Sequence, residues 1–160
     1  MNYQEVRSVA KDGDVLFFHV DKRHFLSKLV SWFTKSTYTH VGFVFWFKDR
    51  LMLLDSGTKG GSRIILASKY NDNTFDLVSA PRVWSDIEEK ALARSGSAHY
   101  GWFSAAYIGL REFMFTHFNI NLPVDKDNRN KACSEFVAEI LEMDDVDISP
   151  AKLHSILLSR

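Results

Sequence analysis

The chain has 160 residues, enough for one domain with a real core. Lys plus Arg and Asp plus Glu each count 20, so the formal charge is zero and bulk electrostatics gives no reason to expect nucleic-acid binding. The longest apolar stretch, Trp102 to Leu110, is broken by Arg111 and Glu112 and is too short for a bilayer span, which takes about 20 residues.

The opening segment, Met1 to Arg7, lacks the apolar core of a signal peptide, so a cytoplasmic protein is expected, with carriage in a phage particle as the other route. Asp12-Gly13-Asp14 reads as a tight turn, and Val15 to Val20 as a buried strand. Phe25, Leu29, Trp32 and Phe33 recur at helical spacing, which predicts an amphipathic helix over His24 to Thr34. Val41 to Phe47 is a second strand. A polar turn at Lys48-Asp49-Arg50 leads into a third, Leu51 to Leu54. Gly57, Gly60 and Gly61 loosen the next connection, and Arg63 to Ala67 and Phe75 to Pro81 continue as strands. Ser85 and Glu88 have the spacing of a capping box, with a helix running on to about Ser95. Trp102 to Phe115 reads as a mostly apolar, well-buried helix. A polar loop containing Pro123 spans Asn119 to Asn130. A helix then opens at Cys133, an acidic turn follows (Asp144, Asp145, Asp147), and Ser149-Pro150 starts a last short helix. With no repeat and no linker, the expectation is one α+β domain over residues 1–160, with a central antiparallel sheet and helices packed around it.

Cys133 is the only cysteine, so no internal disulfide forms. On a helix beginning near Ala132 it shares a face with Phe136, Val137, Ile140 and Leu141 and points at the protein body. A helix N-terminus favours thiolate over thiol, and its free N–H groups can hold a developing oxyanion. The same pattern also suits a buried structural cysteine. Glu135 and Glu139 fall on the opposite, solvated side, with Lys131 one turn before Glu135.

His40 opens the second predicted strand, at an edge of the sheet where a general base can meet both a nucleophile and solvent. Because the connection over 48–50 is short, the strands on either side run antiparallel, and Asp55 at the far end falls beside His40. A carboxylate there can hold the imidazole in one tautomer. Asp55 equally fits a turn before Ser56-Gly57. His19, His24 and His40 do not have zinc-ligand spacing, and the Gly-x-Ser-x-Gly elbow of serine hydrolases is missing, so no metal or cofactor is expected.

Taken in order, Gly13-Asp14-Val15-Leu16-Phe17, Tyr38-Thr39-His40-Val41-Gly42, Leu54-Asp55 and Ala132-Cys133-Ser134-Glu135-Phe136-Val137 resemble the circularly permuted NlpC-type, papain-like cysteine hydrolases. The nearest branch is the YiiX-like family; lecithin retinol acyltransferase-like enzymes are more distant relatives. The histidine-first order fits only the permuted group. The resemblance runs from about Asp12 to Leu153 and implies a permuted papain-like sheet or half-barrel. It also implies a Cys133 nucleophile, a His40 base and an Asp55 orienting residue. Asp55 departs from the Glu or His usual at that place. Tyr38 matches an aromatic of the pattern and is expected to line the oxyanion site, and Tyr100 falls where the family tends to have a tyrosine. The implied reaction is acyl transfer through a thioester intermediate, with hydrolysis of a peptide or cell-wall amide first and lipid acyl transfer or thioester hydrolysis second. A non-enzymatic interaction module on the same scaffold is the third reading.

Overall fold

A computed structural model describes residues 1–20, 31, 37–57, 61–96, 102–123, 132–146 and 148–159. The helix expected over His24 to Thr34 and the site residue Tyr100 lie outside the described residues, apart from a helical Ser31.

The chain opens with a helix that the sequence reading did not anticipate, α1 (Tyr3–Val9). Asn2 and Glu5 close a reciprocal capping box: the Glu5 N–H donates to Asn2 Oδ1 at 3.0 Å and the Asn2 N–H donates to Glu5 Oε2 at 2.8 Å. Tyr3 and Val6 are its buried residues.

The centre is an antiparallel sheet of five strands: β1 (Val15–His19), β2 (Tyr38–Phe47), β3 (Arg50–Gly57), β4 (Gly61–Leu66) and β5 (Phe75–Val78). They lie in the order β4-β3-β2-β1-β5. The predicted strands are all present with altered ends. β2 begins three residues earlier than expected and β3 runs three residues further, so Asp55 lies inside a strand rather than closing one. Ladder pairing of Asp55 with both Gly42 and Arg63 extends β3 where side-chain polarity suggested a stop.

Period-two alternation gives the sheet two apolar faces. Val15, Phe17, Val41, Phe43 and Leu54 form one core with three C-terminal helices, α2 (Trp84–Ala93), α4 (Cys133–Ile140) and α5 (Pro150–Leu158). Leu16, Phe18, Val44, Leu53 and Phe75 form a second core with α1. A helix-covered sheet of this kind is the α+β architecture expected.

Helix ends follow packing more than local caps. α2 starts at Trp84 behind Val83, with no side-chain cap, so Ser85 is not its N-cap. The Trp84 ring stacks on Phe45 at 5.4 Å, and burying that ring sets the start. Ser149, by contrast, caps α5 as its sequence predicts, accepting from the Lys152 N–H at 3.3 Å with Pro150 in the first turn.

The apolar helix α3 (Trp102–Phe118) departs from the expectation of burial. Among its described side chains Ile108 is buried, but Leu110, Phe115 and Phe118 are roughly half exposed. Apolar residues run all round this helix, and one cylinder cannot turn every side inward.

Candidate functional site

Three strands and one helix N-terminus build the site. Cys133 is the first residue of α4, which packs on β2 and β3. Phe136, Val137 and Ile140, on the same helical stripe, are buried in the core of that face and bring the thiol inward with them. Ala132 at the N-cap has no side-chain acceptor. Glu135 acts from the other direction: its Oε2 accepts from the Ala132 N–H at 2.7 Å. Glu135 is 1% exposed, which corrects its assignment to a solvated face. A carboxylate in the first turn is favoured by the helix dipole, and that interaction outweighs the helical-wheel argument for exposure. Glu139 is partly exposed and pairs with Arg94.

His40 and Asp55 meet as the antiparallel hairpin predicts. His40 Nε2 lies 2.7 Å from Asp55 Oδ2. The β2–β3 register sets Asp55 opposite Gly42, so the histidine and carboxylate are diagonal neighbours on one face. Gly42 is required there: a Cβ would stand 2.7 Å from the Leu54 carbonyl oxygen and 3.0 Å from Asp55 Cβ. Asp55 is fully buried. Burial alone would raise its carboxyl, but hydrogen bonds and charge from His40 and Arg63 overcome that and hold it below its ordinary 3.8. An ionised carboxylate only accepts, so His40 Nε2 carries a proton. The other imidazole nitrogen, Nδ1, is left free of Asp55, and Cys133 lies near enough for its charge to act on the ring. Burial disfavours the imidazolium, yet the charge of Cys133 and the bond to Asp55 push His40 up to about 10.

Asp55 has a second cationic partner that sequence reasoning missed. Arg63, its cross-strand neighbour on β4, donates from Nε to Asp55 Oδ1 at 2.9 Å and from Nη2 to Asp55 Oδ2 at 3.4 Å. Nη2 also donates to the Tyr70 hydroxyl at 3.0 Å. Among the described residues, no buried side-chain nitrogen or oxygen lacks a partner.

Tyr38 stands apart from this group, and a bulge explains why. Phe18 pairs with His40 but His19 pairs with Tyr38, so Thr39 is one extra residue in β2. The bulge turns Tyr38 to the face of Phe17, whose ring is 5.6 Å away, while His40 stays with Phe18 at 5.1 Å. The Tyr38 hydroxyl donates to Asp76 Oδ2, and His154 Nε2 lies 3.2 Å from it. Burial, then Asp76, push Tyr38 up to about 12. His19 Nε2 is 3.2 Å from Asp76 Oδ1, which completes a second polar cluster. Residues 19, 38, 76 and 154 share no local signal in the sequence.

No family model matches the chain. No curated protein matches it either. Among solved structures it is similar to one described as metalloprotein yiiX from Escherichia coli O157:H7, DUF1105. The TM-score is 0.58 at 14% identity, over 82% of this chain and 64% of that one. The chain thus spans less than two thirds of that neighbour, and the likeness is one of fold, the YiiX-like fold. Among the described residues, no helix is long and apolar enough to cross a membrane.

Proposed function

We propose that the protein is a cysteine hydrolase with a circularly permuted papain-like domain, cleaving an amide bond through Cys133, His40 and Asp55. One observation carries the reading: the imidazole of His40 is held at 2.7 Å by a buried carboxylate, and the thiol in the first turn of a helix lies near enough to act on its charge. Chain order supports the permuted form, because the histidine strand precedes the cysteine helix.

In this mechanism the Cys133 proton already rests on His40, whose raised proton affinity favours a thiolate–imidazolium pair, and the thiolate attacks the acyl carbon of the substrate to form a C–S bond. The oxyanion is met by N–H groups of the first turn of α4, which Ala132 does not cap. His40 returns the proton to the departing amine as the C–N bond breaks, leaving a thioester. Water, deprotonated by His40, then releases the acid and restores the thiolate–imidazolium pair. Asp55 keeps the proton on Nε2 throughout, so Nδ1 does the transfer.

The structural neighbour is named a metalloprotein. Among the described residues of this chain, no group of three or more His, Cys, Asp or Glu side chains could hold a metal ion. No step is therefore routed through one.

A second reading, an acyl lipid as substrate for the same thiol, is favoured by the exposed Leu110, Phe115 and Phe118 of α3. Turnover of muropeptides and acyl lipids measured side by side, each with a Cys133→Ala control, decides between the two. Amide cleavage lost in the variant supports the first. Ester or thioester cleavage alone supports the second. Activity retained without the thiol would sink both, and turnover of neither substrate would leave the scaffold to be read as an interaction module.

A further inference from the structure

We propose that Arg63 is a positioning residue of the Cys133–His40–Asp55 site: from β4 it grips the buried Asp55 carboxylate, fixes Oδ2 against His40 Nε2, and draws part of the carboxylate's charge away from the imidazole. The assignment rests on the reading of that site as a thiol hydrolase. Four observations support it.

First, the contact is forked. Arg63 reaches both Asp55 oxygens, at 2.9 Å to Oδ1 and 3.4 Å to Oδ2, and a planar guanidinium so placed allows the carboxylate one orientation. Second, the carboxylate is fully buried while the Arg63 side chain is 22% exposed, so solvent does not stand in for the arginine on the inner side. Third, space is reserved for it. A Cβ on Gly57 would lie 2.5 Å from Arg63 Nη2 and 2.6 Å from Cζ, so only glycine at 57 lets the guanidinium lie where it does. Fourth, the arrangement closes on itself. Tyr70 accepts from Arg63, Phe18 packs edge-on against Tyr70 at 5.0 Å, and Phe18 packs against the His40 ring at 5.1 Å. His40, Asp55, Arg63, Tyr70 and Phe18 thus form a ring of contacts in which the imidazole is fixed from two directions.

The chemistry gives this ring a use. His40 must accept a proton and then surrender it to the leaving group, and a base that holds its proton too firmly fails at the second step. A buried carboxylate with no other cation would direct its whole charge at the imidazolium. Arg63 shares that charge and moderates His40 while still holding the carboxylate in place.

The test is a titration of the His40 imidazole by NMR in a Cys133→Ala background, where no thiol chemistry intrudes. Arg63→Gln raises the His40 midpoint by about half a unit or more, because one compensating charge is gone. Arg63→Lys returns most of the shift, and Tyr70→Phe moves the midpoint less and in the same direction. With Cys133 present, the alkaline limb of iodoacetamide alkylation moves with it. A lower unfolding temperature with an unmoved His40 midpoint in Arg63→Gln would mean a structural clamp and overturn the proposal. If that variant does not fold, an unmoved midpoint in both Arg63→Lys and Tyr70→Phe overturns it equally. Failure of the underlying hydrolase reading has its own signature: alkylation of Cys133 indifferent to His40→Ala. That result leaves Arg63 no reaction to serve and ends the proposal on the alkylation arm, whatever the titration shows.

Discussion

On either side of the bulge at Thr39, a β2 side chain joins a carboxylate–histidine cluster, His40 with Asp55 and Tyr38 with Asp76, and the two clusters differ. Asp55 is fully buried, bound by His40 and Arg63, and its histidine also meets a thiol. The Asp76 side chain is 38% exposed and shared among Tyr38, His19 and His154, with no cysteine beside it among the described residues. The histidines respond in opposite directions. His40 is pushed well up by Cys133 and Asp55 against the effect of burial, whereas burial pulls His154 below its ordinary value in spite of Asp76. A carboxylate–histidine contact is thus not enough for chemistry. In the proposed reading, a dry carboxylate and a nearby thiol are what turn the same contact into a base.

The largest effect expected from breaking this contrast is at the thiol. Cys133→Ala lowers turnover of any identified amide or ester substrate by about a thousandfold or more, with an unfolding temperature close to that of the parent. Full activity in this variant would rule out covalent thiol catalysis.

His40→Ala comes next. The rate of Cys133 alkylation by iodoacetamide at neutral pH drops by roughly a hundredfold. An unchanged rate would place the base elsewhere.

Asp55→Asn slows turnover by about tenfold to a hundredfold while leaving measurable alkylation, since the thiol and imidazole remain. It also destabilises the fold by about 2 kcal/mol, because Arg63 loses its carboxylate. Chemical denaturation and kinetics on the same variant separate the two effects. Equal activity in this variant would show that another group orients His40.

Acidity sharpens the comparison further. His40 lies above its ordinary 6.5, at about 10, so its contribution to stability is fully present below pH 6.5 and fades as pH rises through 10. Asp55 is shifted down from 3.8, so its contribution is present above that value and fades as pH falls through the lower, folded one. Urea midpoints should therefore decline from pH 6.5 towards 10, and His40→Asn should flatten that decline. A flat alkaline limb in the parent protein would contradict the placement of His40.

The smallest effect belongs to the second cluster. Asp76→Asn changes turnover by no more than about twofold, because solvent replaces much of what an exposed carboxylate supplies. A loss as large as that of Asp55→Asn would erase the distinction between the clusters.

Much of the first cluster is legible in the sequence, and the reasons are local. Cys133 stands at a helix start marked by an apolar stripe, His40 at a strand start, and the short polar turn over residues 48–50 fixes which way β3 returns. Those three facts bring Asp55 to His40 without coordinates. Arg63 is not legible, because an arginine in a short amphipathic strand reads as solvent-facing. Only the β3–β4 register and the missing side chain at Gly57 reveal what it holds. Glu135 departs from the exposure a helical wheel predicts, because a wheel counts faces and ignores the N–H at the helix start that this carboxylate accepts from. The second cluster joins residues from β1, β2, β5 and α5, and its Tyr38 depends on a bulge that no propensity signals. α1 rests on an Asn2–Glu5 capping box, a local signal that is legible in the sequence.

The central claim is that the fold activates Cys133 through His40, and the rate of Cys133 alkylation by iodoacetamide at pH 7 tests it most directly. The thiol is only 5% exposed, so an inert buried cysteine reacts more slowly in the native protein than in the urea-unfolded chain. The account predicts the reverse: native alkylation about tenfold or more faster than in the unfolded chain, with the advantage lost in His40→Ala. A native rate below the unfolded one, and the same with or without the imidazole, would contradict it.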